Sequence, residues 1–134
     1  MKLRTLPLSR IKRGQRVFVR IDGNFHRKKN GSLAKGAAWR LDRVFPYIKQ
    51  LSKRGVVVIV CSHQRGEGAE ASLKPIAKWF SKYITRVRMA PDCIGPKTKS
   101  FVDRANAGDL VVLENPRLHA GEETNDAKFA KELA

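Results

Sequence analysis

Three runs of apolar residues along the chain stop abruptly in polar ones. Arg16 to Ile21 sets Arg16 and Arg20 against apolar neighbours and runs into Asp22 and Asn24, while Val56 to Cys61 runs into Ser62, His63 and Arg65. Leu110 to Glu114 runs into Asn115, Arg117 and His119. The unbroken run from Val56 marks a central strand buried on both faces and Leu110 to Glu114 a buried one, while the first strand alternates; in a parallel sheet the residues just past the strand ends form the functional edge. Helical periodicity fills the intervals. From about Ala37 to Lys53 the residues Leu41, Val44, Phe45, Ile48 and Leu51 share one face; Pro46 removes a hydrogen bond and is expected to bend that helix, which Gly55 ends. Ser72 is placed to cap a helix through about Tyr83, with Leu73, Ile76, Ala77 and Phe80 as its core stripe and Trp79 off that line. A short strand is expected at Val87 to Ala90, then a helix opened by Gly95-Pro96 and closed by Gly108, and a last helix capped by Asn125 or Asp126. Asn30-Gly31 is the strongest hairpin signal. The order βαβαβαβα predicts an α/β, Rossmann-like three-layer sandwich with a mainly parallel sheet, one core and one domain over residues 1–134.

A hydrophobic content of 42% is that of an ordinary globular chain and argues against disorder. Cys61 and Cys93 form no C-x-x-C pair, so neither a disulfide framework nor a zinc site is suggested. Cys61, at the end of an apolar strand, reads as a buried thiol in a reducing compartment, and a cytoplasmic protein is expected. No apolar segment is long enough for a bilayer, and Met1 to Arg20 lacks the apolar region of a signal peptide. That start is Arg-rich and acid-free, which keeps a mitochondrial transit peptide as an alternative, with Pro7 and the immediate entry into a strand against it.

The formal charge of +16 is unevenly spread. Residues 1–65 hold 17 Lys or Arg against Asp22 and Asp42 alone, whereas residues 66–134 hold 11 against 10 acids. A field of one sign draws anions, whether a phosphorylated metabolite, a nucleic acid or an acidic lipid surface.

Gly66-Glu67-Gly68-Ala69-Glu70-Ala71 matches the dinucleotide fingerprint G-x-G-x-x-A. Four residues separate its first glycine from the strand, so two loop glycines are the simpler reading; no G-x-x-x-x-G-K-[ST] phosphate loop occurs in the chain. The strand-end set is more informative because it comes from distant segments. Asp22 and Asn24 supply groups for a hydroxyl, and Arg40, His63, Arg65 and Arg117 supply groups suited to a carboxylate and a phosphate. Each has a plainer reading: a solvated arginine, a satisfied edge histidine, or an aspartate capping a turn. Glu114 reads as structural, bonding loop backbone.

These residues carry a resemblance. The chain resembles the N-terminal portion of phosphoglycerate kinase in V-R-I-D-G-N, F-P-Y-I-K-Q-L, S-H-Q-R-G, S-L-K-P-I-A, D-C-I-G and L-E-N-P-R-L-H-A-G-E-E-T-N-D-A-K-F-A, from about Arg16 to its last residue. The resemblance implies a kinase that moves a phosphoryl group between ATP and 3-phosphoglycerate, with the glycerate on the N-terminal domain and magnesium nucleotide on a C-terminal one. By that likeness Asp22 and Asn24 hold the hydroxyl and carboxylate end, Arg40 stabilises charge on the transferring group, and His63 and Arg117 join the patch for the substrate phosphate. Departures accompany it. Gly23 replaces a large residue, and the family's Gly-Arg after Ser-His-Leu stands here as Arg65-Gly66, which shifts the substrate-binding arginine by one position.

The expectation is therefore a partial N-terminal domain that binds 3-phosphoglycerate. Its magnesium-ATP domain is missing from the 134 residues, and it turns over only with a separate nucleotide-binding half. The alternative is a basic module that keeps the fold and grips nucleic-acid phosphates through Lys2 to Lys29, although only Phe18 and Phe25 interleave that run for base stacking. No membrane partner is expected.

Overall fold

Valine-rich segments supply the strands of a computed structural model that describes residues 7–134. In chain order the elements are β1 (Arg16–Arg20), α1 (Trp39–Lys53), β2 (Val57–Cys61), α2 (Lys74–Phe80), β3 (Val87–Met89), α3 (Pro96–Asp103), β4 (Leu110–Val112), α4 (Ala120–Glu123) and α5 (Ala127–Leu133). The four strands form one parallel sheet in the order β1-β2-β4-β3. The α/β class and the parallel sheet are as expected.

Strand alternation divides the interior into two layers. Val58, Val60, Leu110 and Val112 face Leu41, Ile48 and Leu51 of α1 and Ile76 and Phe80 of α2. On the other face Cys61, Val111 and Leu113 pack with Phe101 and Val102 of α3 and Phe129 of α5. In β1, Val17 and Val19 pack against the first layer, whereas Phe18 stays 44% exposed on the second face. Beside it lies a cavity of about 680 Å³, lined by Phe18, Ile59, Ile94, Val102, Leu113 and Leu133 among others.

Several boundaries differ from the sequence expectation for identifiable reasons. The last strand pairs over Leu110–Val112 rather than to Glu114, because the Glu114 side chain is drawn into loop bonds past the ladder. Ser72 does not occupy the N-cap of α2; Leu73 does, and the Ser72 hydroxyl accepts from the Lys74 amide at 3.2 Å while donating to Glu114 at 2.9 Å. That helix stops at Phe80, and Trp79, off the expected core stripe, is 7% exposed inside an aromatic cluster with Phe45, Phe80 and Tyr83. Gly108 does not close α3, which ends at Asp103. It turns the chain into β4 at φ +90°, and its carbonyl accepts the Ser52 hydroxyl at 2.8 Å. Helix α1 continues through Pro46. Asp126 caps α5, accepting from the Phe129 amide at 2.7 Å. Asn30-Gly31 makes a tight turn closed by a single antiparallel bridge, Arg27 to Leu33.

Among the described residues, no helix is long and apolar enough to cross a membrane.

Candidate substrate-binding rim

Register brings the strand ends level. Arg20 pairs with Cys61 and Val60 with Val112, and carrying both registers past the strands sets Asp22, His63 and Asn115 side by side. The loops that follow are held by two buried amides. Gln64 accepts from the Phe25 amide at 3.0 Å and donates to the Phe25 and Arg65 carbonyls. Asn115, 1% exposed, accepts from the Gln64 and Arg117 amides and donates to the Gln64 and Ala71 carbonyls. Glu114 accepts from the Leu73 and Asn115 amides and the Ser72 hydroxyl, the structural role expected of it. Backbone groups stranded past the ladders are thereby paired, and the rim is fixed before any ligand arrives.

The candidate side chains sit on this frame. Asp22 divides its carboxylate: one oxygen accepts from the Asn24 amide at 3.3 Å, as a turn-capping aspartate does, and the other lies 3.1 Å from Arg40 Nε. Arg40 also donates to the Asn24 carbonyl at 2.7 Å. The Asn24 side-chain oxygen accepts from the Arg65 amide at 3.2 Å. Arg65 thus joins through its backbone, and its exposed guanidinium makes no ion pair with any described residue. Arg117 is held by Glu122 at 2.9 Å and by Glu123 at 3.4 Å.

His63 lies at the electrostatic centre. Partial burial and the Arg117 and Arg20 guanidinium groups push its imidazole below its ordinary value, against opposing pulls from Glu122 and Asp22. Charges from two ion pairs, Asp22 of one and Arg117 with Glu122 of the other, thus act on His63. The sequence reading missed two participants. Arg20 reaches within 3.5 Å of His63 Nδ1 and 3.8 Å of Glu122, so Glu122 bridges two arginines. The signal was present in the alternation of β1, which sends Arg20 to the face opposite Val17 and Val19.

Other candidates lie elsewhere. His119 pairs with Asp92, Nε2 to Oδ1 at 2.7 Å, rather than with the arginines. Arg27 of the basic segment is consumed internally by Gln64, Gly31 and Ser72. Lys2, at the other end of that segment, lies outside the described residues. Gly66 and Gly68 lead into a 3₁₀ turn carrying Glu70. Helix α2 begins only at Lys74 and has Pro75, which has no N–H, in its first turn, so this loop offers no amide cradle for a nucleotide phosphate. The 680 Å³ cavity, mostly apolar but edged by Arg16, Lys99 and Lys131, touches none of the six candidate residues. Burial pushes the Cys61 thiol up to about 11 and, with Asp92 beside it, the Cys93 thiol up to about 12, so both are held as thiols until a ligand takes the proton's place.

The geometry can be set beside known proteins. A phosphoglycerate kinase from Chelativorans sp. is 44% identical over 126 residues, which cover 90% of this chain and 31% of that protein. One from Brucella melitensis is 40% identical across the whole chain and 34% of its own length. The chain spans about a third of the length of the curated relatives it matches. Among solved structures, a phosphoglycerate kinase from Pyrococcus horikoshii superposes with a TM-score of 0.79 at 24% identity, over 96% of this chain and 34% of that one. One from Coxiella burnetii does so at 0.71 and 25% identity, over 96% and 32%. A sequence model described as phosphoglycerate kinase matches residues 9–134, and the chain belongs to that family.

Proposed function

We propose that the rim receives 3-phosphoglycerate and that this chain is the glycerate-binding half of a phosphoglycerate kinase. The observation that carries the reading is the clustering of Arg20 and Arg117 around a His63 held toward its neutral form, with the Asp22–Arg40 pair beside it. A phosphate dianion would satisfy both guanidinium groups, which otherwise share Glu122. Asp22 and Asn24 then take the hydroxyl and carboxylate end. Arg40, steadied by Asp22 and the Asn24 carbonyl, faces charge developing on the transferring group. Such chemistry asks a protein mainly to position and neutralise.

Magnesium ATP supplies the phosphoryl group in this reading, and its holder is a separate nucleotide-binding half beyond these residues. The 134 residues alone then bind without turning over, and the enzyme works in the cytoplasm.

Calorimetry of the chain with 3-phosphoglycerate at low salt tests the binding. Heat that disappears on Arg117→Ala supports it; no heat, or heat indifferent to Arg117→Ala and His63→Gln, overturns it. Nucleic-acid affinity that falls steeply with salt and ignores His63 and Asp22 would instead favour a basic phosphate-gripping module. Adding a separate nucleotide-binding half asks whether turnover then appears.

A further inference from the structure

Cys93, Asp92 and His119 play no part in the rim, yet two different loops bring them together. Asp92 and Cys93 follow β3, and His119 follows the turn Pro116–Leu118 after β4. Ligand atoms of the three, a carboxylate oxygen, a thiol sulfur and an imidazole nitrogen, all lie within 4.8 Å of one another. Asp92 is already oriented by two hydrogen bonds to one oxygen, from the Cys93 amide at 2.6 Å and with His119 Nε2 at 2.7 Å. Cys93 is 3% exposed, whereas Asp92 and His119 remain partly accessible.

We infer that Asp92, Cys93 and His119 form a binding site for a divalent transition-metal ion of zinc-like preference. Sulfur, nitrogen and carboxylate oxygen together suit a borderline-soft ion, and magnesium or calcium would draw oxygen ligands instead. A tetrahedral ion with bonds of about 2.0 to 2.3 Å sets its donors roughly 3.3 to 3.6 Å apart. Asp92 and His119 need to separate by well under an ångström from their 2.7 Å contact, with the ion taking the place of the proton between them. As the ion binds, the Cys93 thiol and the His119 Nε2–Asp92 pair each give up a proton to solvent, and the imidazole ligates as its neutral tautomer with its one proton on Nδ1. The metal dication then meets one thiolate, one carboxylate and one neutral ring, a neutral set suited to a half-buried place. The fourth position is left to water, with entry along the cavity of about 420 Å³ lined by His119, Ile94 and Phe129. No paired-cysteine spacing announces the site, because Cys93 and His119 stand 26 residues apart.

The test is a titration of the reduced 134-residue chain with cobalt(II), followed by zinc displacement. The expected result is one equivalent of cobalt with thiolate-to-cobalt charge-transfer absorption, bleached by zinc. Affinity should fall by more than about tenfold in Cys93→Ser and in His119→Gln and be kept in Cys61→Ser. Circular dichroism accompanies each variant. Should Cys93→Ser fail to fold, the partly exposed His119→Gln and Asp92→Asn decide. No charge-transfer absorption in the wild-type chain, or absorption that survives these substitutions in folded protein or tracks Cys61, overturns the site.

Discussion

Arg40 grips both ends of one turn: its Nε lies 3.1 Å from the Asp22 carboxylate and its Nη1 donates to the Asn24 carbonyl at 2.7 Å. The first turn of α1 is thereby fastened to the loop leaving β1. A lysine carries the same charge but cannot make this two-direction contact. Arg40→Lys should therefore weaken 3-phosphoglycerate binding about tenfold in calorimetry while moving the urea midpoint little, since the pair is partly exposed. A large loss of stability with unchanged affinity would show that Arg40 serves the fold instead.

Asn115 has the opposite profile. Its single buried amide serves four backbone groups, two amides and two carbonyls. Asn115→Ala leaves them without partners, at about 1 to 3 kcal/mol for a buried group left unmade, so a total cost of roughly 3 kcal/mol or more is expected. Urea unfolding should show a lowered midpoint, and amide exchange should rise first at Gln64 and Arg117.

His63 makes the site pH-sensitive. Its native value is held below the ordinary 6.5, so the unfolded chain takes up the proton more readily. Stability from this group is complete above about pH 6.5 and is lost as pH falls through the lowered native value. A bound phosphate dianion works the other way and raises His63, so ligand affinity should strengthen on acidification until the phosphate itself titrates near about pH 6. Proton NMR of His63 with and without 3-phosphoglycerate checks both signs; an unmoved imidazole signal would remove His63 from the binding set.

Gly23 is fixed by close approach. A Cβ built there would collide with Ser62 Oγ and lie 2.7 Å from Ile76 Cδ1, although its φ is outside the left-handed region. Gly23→Ala should cost about 1 to 3 kcal/mol, as overpacking does. Adding Ser62→Gly should recover part of the loss, a coupling that a double-mutant cycle of melting curves would expose.

Much of the sheet was legible because valine runs and glycine stops are local signals: Val57–Cys61 and Gly55 stand close to where the pattern put them. The helix ends were less so. Trp79 lies off a linear stripe and still becomes buried, because Phe45 from α1 packs edge-on against it at 5.7 Å. The rim shows the same division. Asp22, His63 and Arg117 could be picked as polar residues at strand ends, but Glu122 could not, since its meaning comes from two arginines that lie 97 residues apart in the chain.

The α/β class, the parallel strands and the polar character of their ends follow from local pattern, because side-chain period and backbone propensity act over a few residues. How the loops pack in space settled which of those ends are spent on the frame, as Asn115 and Glu114 are. It also decided that Asp92, Cys93 and His119 would meet. Hydrogen-bond satisfaction and charge coupling depend on through-space distance, and strand register, rather than sequence spacing, sets that distance.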